Sequence, residues 1–317
     1  MPNSALLIAY QAVVMFILLG VGYLLYRIRY LDNDSTRRLS NIAITVINPI
    51  VIFNAYQTEF QPELAKGLLY AMILAFFCQI MMLVIARLAI SGKSENFRID
   101  RFAAGYSNCV FMGIPLIQAA FGSEGVFYLT AFITALNVFA WTHGVISMSG
   151  GEKQEPKSLL KILLSPATIA IALGVIVFLT GFRLPDIVQQ PLDYLGAMNT
   201  PLAMIVSGAT IAKAGLLAGL KNPRIYAVQS LKLLIIPSIL SVPLVLTELL
   251  GVSPLVVNTV LIAAASPTAS LTIMFSYKFG QNEQYASHHF TISTLASIVT
   301  IPLIMLWVKL LEALIVG

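Results

Sequence analysis

Charge is scarce in this sequence. Of its 317 residues only 10% are Asp, Glu, Lys or Arg, against roughly a quarter in a water-soluble domain, which needs them to cover its surface. Water is therefore excluded as the solvent for most of the surface. Cysteine is scarcer still. Cys78 and Cys109 both lie in apolar stretches, which excludes a disulfide framework, and their spacing fits no zinc pattern. No HExxH, no nucleophile with a base at motif spacing and no metal-ligand cluster occurs, so an enzyme is not expected. No cofactor is implied, and metal binding is left open. Acidic residues are missing from the middle of the apolar stretches: Asp193, Glu248 and Glu283 sit near ends, leaving a bound cation short of counter-charge. The net charge of +5 is scattered over short loops rather than gathered in an aromatic-laced stripe, which excludes nucleic acid as a partner.

What is present is apolar sequence, 58% of the chain. A bilayer core needs about 20 such residues per helix. Windows of that kind fall at 5–27, 37–56, 64–90, 102–121, 125–148, 160–181, 190–212, 224–250, 252–276 and 286–312. The first follows a short polar MPNS and is too long for a signal-peptide core, so it reads as a membrane helix. Basic residues concentrate in alternate loops: Arg27, Arg29, Arg37 and Arg38; Arg87, Lys93, Arg98 and Arg101; Lys153, Lys157 and Lys161; Lys213, Lys221 and Arg224; and Lys278. The intervening segments hold only Lys66, Arg183 and Lys309. This asymmetry places both termini outside a plasma or bacterial inner membrane, with the 149–161 loop in the cytoplasm.

The second half echoes the first in its polar and helix-breaking positions. Arg29-Tyr-Leu-Asp32 returns as Arg183-Leu-Pro-Asp186, Asn48-Pro49 as Asn199-Thr200-Pro201, and SNCVFMGIPLIQAAFGSE as SPTASLTIMFSYKFGQNE. Three echoes in one order imply a repeat, residues 1–149 and 161–317 joined by a short linker at 150–160. Five spans per copy is odd, so the copies enter the membrane from opposite sides. The fold class expected is all-α, integral to the membrane, with ten helices in two inverted five-helix repeats. Such repeats, with paired interruptions in corresponding spans, are the architecture of secondary transporters. The fourth span carries Gly105, Ser107, Asn108, Met112, Gly113 and Pro115; the ninth carries Ser266, Pro267 and Thr268. These, with the mid-span Asn48, Asn199 and Thr200, are the candidate substrate contacts. Asn137 has no counterpart in the other half and reads as structural.

The stretches INPIVIFNAY around Pro49, SNCVFMGIPL from Ser107, NTPLAMIVSGATIA from Asn199 and AASPTASLTIMFSYKFG followed by STLASIVTIPL resemble the auxin efflux carrier family over essentially the whole chain. That family includes plant auxin exporters and bacterial permeases for small carboxylates. The resemblance implies scaffold and transport domains, each drawn from both repeats, with the fourth and ninth helices unwinding and crossing at Pro115 and Pro267. It also implies that Asn108 helps hold a carboxylate. The long central loop of the plant exporters is missing here, about a dozen residues standing in its place.

Chemistry points the same way, because half-helix N-termini turn backbone N–H groups and partial positive charge into a cavity. The expected partners are a small organic anion and the lipid bilayer, with a homodimer among the oligomeric states left open. Lys232 lies inside a span and is expected to snorkel to the interface. His143, His288 and His289 lie near helix ends and read as interfacial, the only neutral-pH titrating side chains able to couple a proton. With no intramembrane carboxylate to relay protons, uncoupled export is the energetic expectation: an anion leaving a negative interior gains about 2.3 kcal/mol per charge per 100 mV. A sodium- or proton-coupled symporter and a non-transporting sensor are the rivals.

Overall fold

The computed structural model describes residues 4–150, 164–215 and 222–315. Among them the elements are helical: α1 (Ser4–Arg27), α2 (Asn33–Ala55), α3 (Pro62–Ala89), α4 (Phe97–Gly105), α5 (Cys109–Ser149), α6 (Pro166–Thr180), α7 (Asp186–Ala214), α8 (Pro223–Leu250), α9 (Pro254–Ala265), α10 (Leu271–Lys278) and α11 (Glu283–Ile315). Seven of these are long and apolar enough to cross a bilayer. Large apolar side chains such as Leu88, Leu250, Leu314 and Ile187 are about four-fifths exposed, a surface that lipid tolerates and water does not. The expected linker at 150–160 lies, beyond Gly150, outside the described residues.

The expected fourth window is broken: α4 ends at Gly105 and α5 begins at Cys109. The expected ninth is broken between Ala265 and Leu271. The fourth and fifth windows meet without a loop, because α5 turns a corner inside its length at Gly122, whose φ of +67° only glycine adopts cheaply. The matching residue of the second half, Gly280, has φ +62° and turns α10 into α11. The Phe-Gly echo seen in the sequence is thus the same corner built twice.

Prolines explain the local shape of three helices. Wide, π-type turns at Ala43–Ile47, Cys109–Gly113 and Leu231–Ile235 each end two residues before a proline, at Pro49, Pro115 and Pro237. Proline lacks an N–H and its ring collides with the carbonyl four residues back. Widening the preceding turn relieves that collision without ending the helix. This corrects one expectation: Pro115 does not sit at the break. It is buried within α5, a widened turn downstream of the unwound segment.

Glycine sets the closest helix approach. A Cβ on Gly208 of α7 would overlap the Leu19 carbonyl of α1, and one on Gly22 would overlap the Ile205 carbonyl. Only small residues let backbones come this near, the usual device where apolar burial cannot drive helix association. The pair α1–α7 and the packing of α2 on α6 make one group. A second comprises α3, α5 and α9, with α11 packed along α8 and α10.

Candidate substrate site at a helix crossing

The unwound segments of the two broken helices meet in an antiparallel bridge between Ser107 and Thr268, which stands outside any strand. Asn108 N–H donates to the Pro267 carbonyl at 2.7 Å, and Ala269 N–H donates to the Tyr106 carbonyl at 3.1 Å. Two short stretches of extended chain therefore cross inside a helical body. Each break frees backbone groups that would cost several kcal/mol apiece if left unsatisfied in an apolar medium, and side chains answer them. Gln79 of α3 donates to the Gly105 carbonyl at 2.9 Å, and Thr268 Oγ1 lies within hydrogen-bond reach of the Ala103 carbonyl at 3.1 Å. Ser107 Oγ donates to the Ala264 carbonyl at 3.0 Å, and Ser293 Oγ accepts from Thr268 N–H at 3.1 Å.

Lys232 completes the arrangement and departs from expectation. It does not snorkel: its side chain is fully buried, with Nζ donating to Ser107 Oγ at 2.6 Å and to the Ala264 carbonyl at 3.0 Å. The widened turn of α8 carries it into the crossing, where the carboxyl end of α9 supplies a carbonyl without a helical partner and partial negative charge. Both acceptors are neutral, so among the described residues a basic group sits in the protein interior with no carboxylate bonded to it.

The structure brings Ser107, Asn108, Ser266, Pro267 and Thr268 together at the crossing. Gly113 lies against them: a Cβ there would stand 3.3 Å from Ser266 Oγ. Met112 is buried in the same widened turn. Asn48, Asn199 and Thr200 lie elsewhere, on α2 and α7. Several of these polar groups have no protein partner although buried: Asn108 Nδ2, Asn48 Oδ1 and both polar atoms of Asn199. Buried amides are normally paired, so each such atom is a candidate for ligand contact.

A cavity of about 870 Å³ opens beside α2, α5 and α7, with Asn199, Thr200, Ile114, Gln118 and Arg183 in its wall. Ile114 directly follows Gly113, so the cavity reaches α5 next to the crossing. Its other charged lining residues are Glu59, Asp186 and Asp193. With three acids to one arginine the cavity does not itself favour anions, and any charge selection falls to the crossing.

Sequence reasoning missed four buried residues. Gln79 and Gln229 stood in apolar spans as polar residues without a matched partner, which was signal enough. Asp100 falls between two expected windows and drew no reading, yet it is fully buried and paired with Arg224 at 2.6 Å. His289 was read as interfacial, yet it too is fully buried.

Comparison with known sequences decides the family. A profile of the family described as membrane transport protein matches the chain twice, over residues 7–158 and again over 154–305. The chain belongs to this family. The double match also shows that the halves are copies of one unit. An uncharacterised transporter of Methanocaldococcus jannaschii is 23% identical over 301 residues, 92% of this chain and 95% of the relative. One from Methanothermobacter thermautotrophicus is 25% identical over 91% of this chain and 94% of its own length. A candidate malonate transporter of Rhizobium meliloti is 26% identical over 209 residues, 63% of each chain. This protein is accordingly a multi-pass membrane transport protein of the family that its auxin-carrier-like motifs indicated.

Proposed function

We infer that the protein carries a small organic anion, a mono- or dicarboxylate, by alternating access. The observation that carries the reading is Lys232, a buried basic group with neutral partners at the crossing of two broken helices. A buried amine without a carboxylate is costly to charge, and an anionic substrate at the crossing compensates that cost. The unpartnered Nδ2 of Asn108 supplies a neutral donor beside it. The candidate malonate transporter among the relatives is named for a substrate of this chemical class. In this reading the corner at Gly122 divides α5 into two spans. The broken pairs α4 with the first part of α5, and α9 with α10, each count as one span, which makes ten in two inverted repeats. Both termini then lie outside. The α1–α7 and α2–α6 group is the scaffold, and the remainder moves against it with the crossing.

Two variants test the assignment in proteoliposomes loaded with a carboxylate panel. Asn108→Ala removes one neutral donor, worth about 1 kcal/mol, so half-saturating concentrations should rise about fivefold in a protein that still folds. Unchanged affinity would return Asn108 to packing. Lys232→Met replaces a buried basic group by an apolar chain of similar length, and Ser107 still donates to the Ala264 carbonyl. Stability should change by less than about 1 kcal/mol, since the two hydrogen bonds lost are offset by removing a basic group that is costly to bury, while anion transport collapses. Full transport by a folded Lys232→Met protein would remove the charge from the mechanism.

The expectation of uncoupled export rested on the lack of an ionisable relay inside the bundle. Asp100 and His289 are both buried there, which reopens the question of the driving ion.

A further inference from the structure

A continuous chain of hydrogen bonds links the half-exposed Arg224 to the crossing. Arg224 Nε donates to Asp100 Oδ2 at 2.6 Å, and Asp100 Oδ1 accepts from Tyr285 OH at 2.8 Å. The same oxygen lies 3.1 Å from His289 Nε2, whose other nitrogen, Nδ1, is 2.7 Å from the Gln229 carboxamide nitrogen. Gln229 Oε1 in turn accepts from Thr268 Oγ1 at 3.2 Å, and Thr268 is half of the bridge with Ser107. His289 is the one imidazole in this hydrogen-bond chain, the side-chain type whose ordinary proton exchange falls between about pH 5 and 8. It is fully buried, as are Asp100, Gln229 and Thr268.

Donor and acceptor roles along the chain are fixed by elimination. With His289 neutral, Nε2–H donates to Asp100, so Nδ1 is the acceptor and must face the amide N–H of Gln229. That leaves Gln229 Oε1 toward Thr268, whose hydroxyl donates to it. Adding a proton at Nδ1 sets two donors against each other at 2.7 Å. The conflict is removed only if the Gln229 carboxamide turns over, offering Oε1 to His289 and N–H to Thr268. The Thr268 hydroxyl then becomes an acceptor from Gln229 and turns its own hydrogen to the Ala103 carbonyl, already 3.1 Å away. One proton at His289 thus reverses the polarity of the chain as far as the helix crossing, with no backbone movement required.

We propose that His289, held between Asp100 and Gln229, is the binding site for a proton co-transported with the substrate, and that Gln229 and Thr268 couple its occupancy to the crossing. The inference rests on the carboxylate-carrier reading for what is moved, but not for where the proton binds. The groups facing His289 suit a single proton. From α4 comes Asp100, from α8 Arg224 and Gln229, and from α11 Tyr285 and the neighbouring His288, which bonds instead to Gln284 and the Ala214 carbonyl. Asp100 is already neutralised by Arg224, so the site is neutral without the proton and singly positive with it. Lys232 on α8 is directed to Ser107 and does not touch the imidazole. The α7 cation Lys213 pairs with Glu283.

Two measurements on the full-length protein test this separately from the carboxylate reading. In the first, imidazole nitrogen-15 resonances of the solubilised protein are followed from pH 5 to 8, with His289→Gln assigning the His289 signals among the three histidines. The proposal predicts that His289 titrates in this range; an imidazole that stays neutral throughout overturns it. In the second, wild-type proteoliposomes clamped at zero voltage accumulate malonate against a pH gradient. One proton per cycle multiplies the steady-state accumulation about tenfold per pH unit, and His289→Gln should abolish that factor while malonate exchange continues. Malonate movement indifferent to pH in the wild type overturns the proton site and leaves the carboxylate reading standing. A titrating His289 in a protein that moves no carboxylate does the reverse. Gln229→Met removes the Nδ1 partner and cuts the chain toward Thr268 while keeping the imidazole on Asp100; it should leave a titrating His289 and lose the tenfold factor, and retention of the factor would refute the coupling route even if His289→Gln fails to fold.

Discussion

Replacing Asp100 by alanine is expected to lower the stability of the purified protein by about 3 kcal/mol. Asp100 is fully buried and accepts from Arg224, Tyr285 and His289, so its removal strands three donors at once. Breaking a buried pair by deleting one partner costs about 3 to 5 kcal/mol. The Arg224 side chain is 39% exposed, and water compensates part of its loss, which selects the lower end of that range. In a detergent thermal-shift assay the midpoint should fall by about 10 °C, at roughly 2 to 4 °C per kcal/mol for a chain of this size. Asp100→Asn keeps an acceptor and should lose less. A change of under 1 kcal/mol in Asp100→Ala would show that the cluster is not a structural tie between α4, α8 and α11.

The second large effect is expected at the α1–α7 contact. Gly208→Val places a Cβ onto the Leu19 carbonyl and 2.7 Å from the Tyr23 nitrogen. Overpacking against side chains costs about 1 to 3 kcal/mol because they can move aside; here the obstacle is backbone, so the helices must separate. Gly208→Val should lose its monodisperse peak on size exclusion in mild detergent. Gly20, on the same α1 helix with nothing within 4 Å of a built Cβ, is the control, and Gly20→Ala should behave as wild type. Equal behaviour of the two variants would mean that α1 and α7 do not approach as closely as described.

The membrane character and the repeat were legible in the sequence because both depend on patterns longer than any one contact. Long apolar windows follow from the thickness of a bilayer, and matched breaks follow from a duplicated unit. The Phe-Gly echo even carried its physical reason, since both glycines take up positive φ. Pro115 was misplaced for a local reason: a proline predicts a disturbed turn but not whether the helix ends or widens. Lys232 and His289 were misread, and Asp100 overlooked, for a different one. Position along a span gives depth in the membrane, whereas burial of a polar residue depends on which neighbours supply partners across 60 to 190 positions, as in the contacts from His289 to Gln229 and to Asp100. Buried ionisable groups near span ends look like interfacial ones until the packing is known. The broken helices were the better guide, because a break inside a bilayer demands partners, and those partners proved to be the polar residues that the apolar spans carried without apparent use.

The central claim is that a basic group at the helix crossing selects a small anion for transport. It is tested most directly by uptake of malonate and of its uncharged diamide into proteoliposomes, with wild type and Lys232→Met measured side by side. The account predicts saturable uptake of malonate or a close carboxylate in the wild type, none of the diamide, and loss of carboxylate uptake in a Lys232→Met protein that remains folded. Equal uptake of the charged and uncharged compounds, or undiminished carboxylate uptake without Lys232, would contradict it.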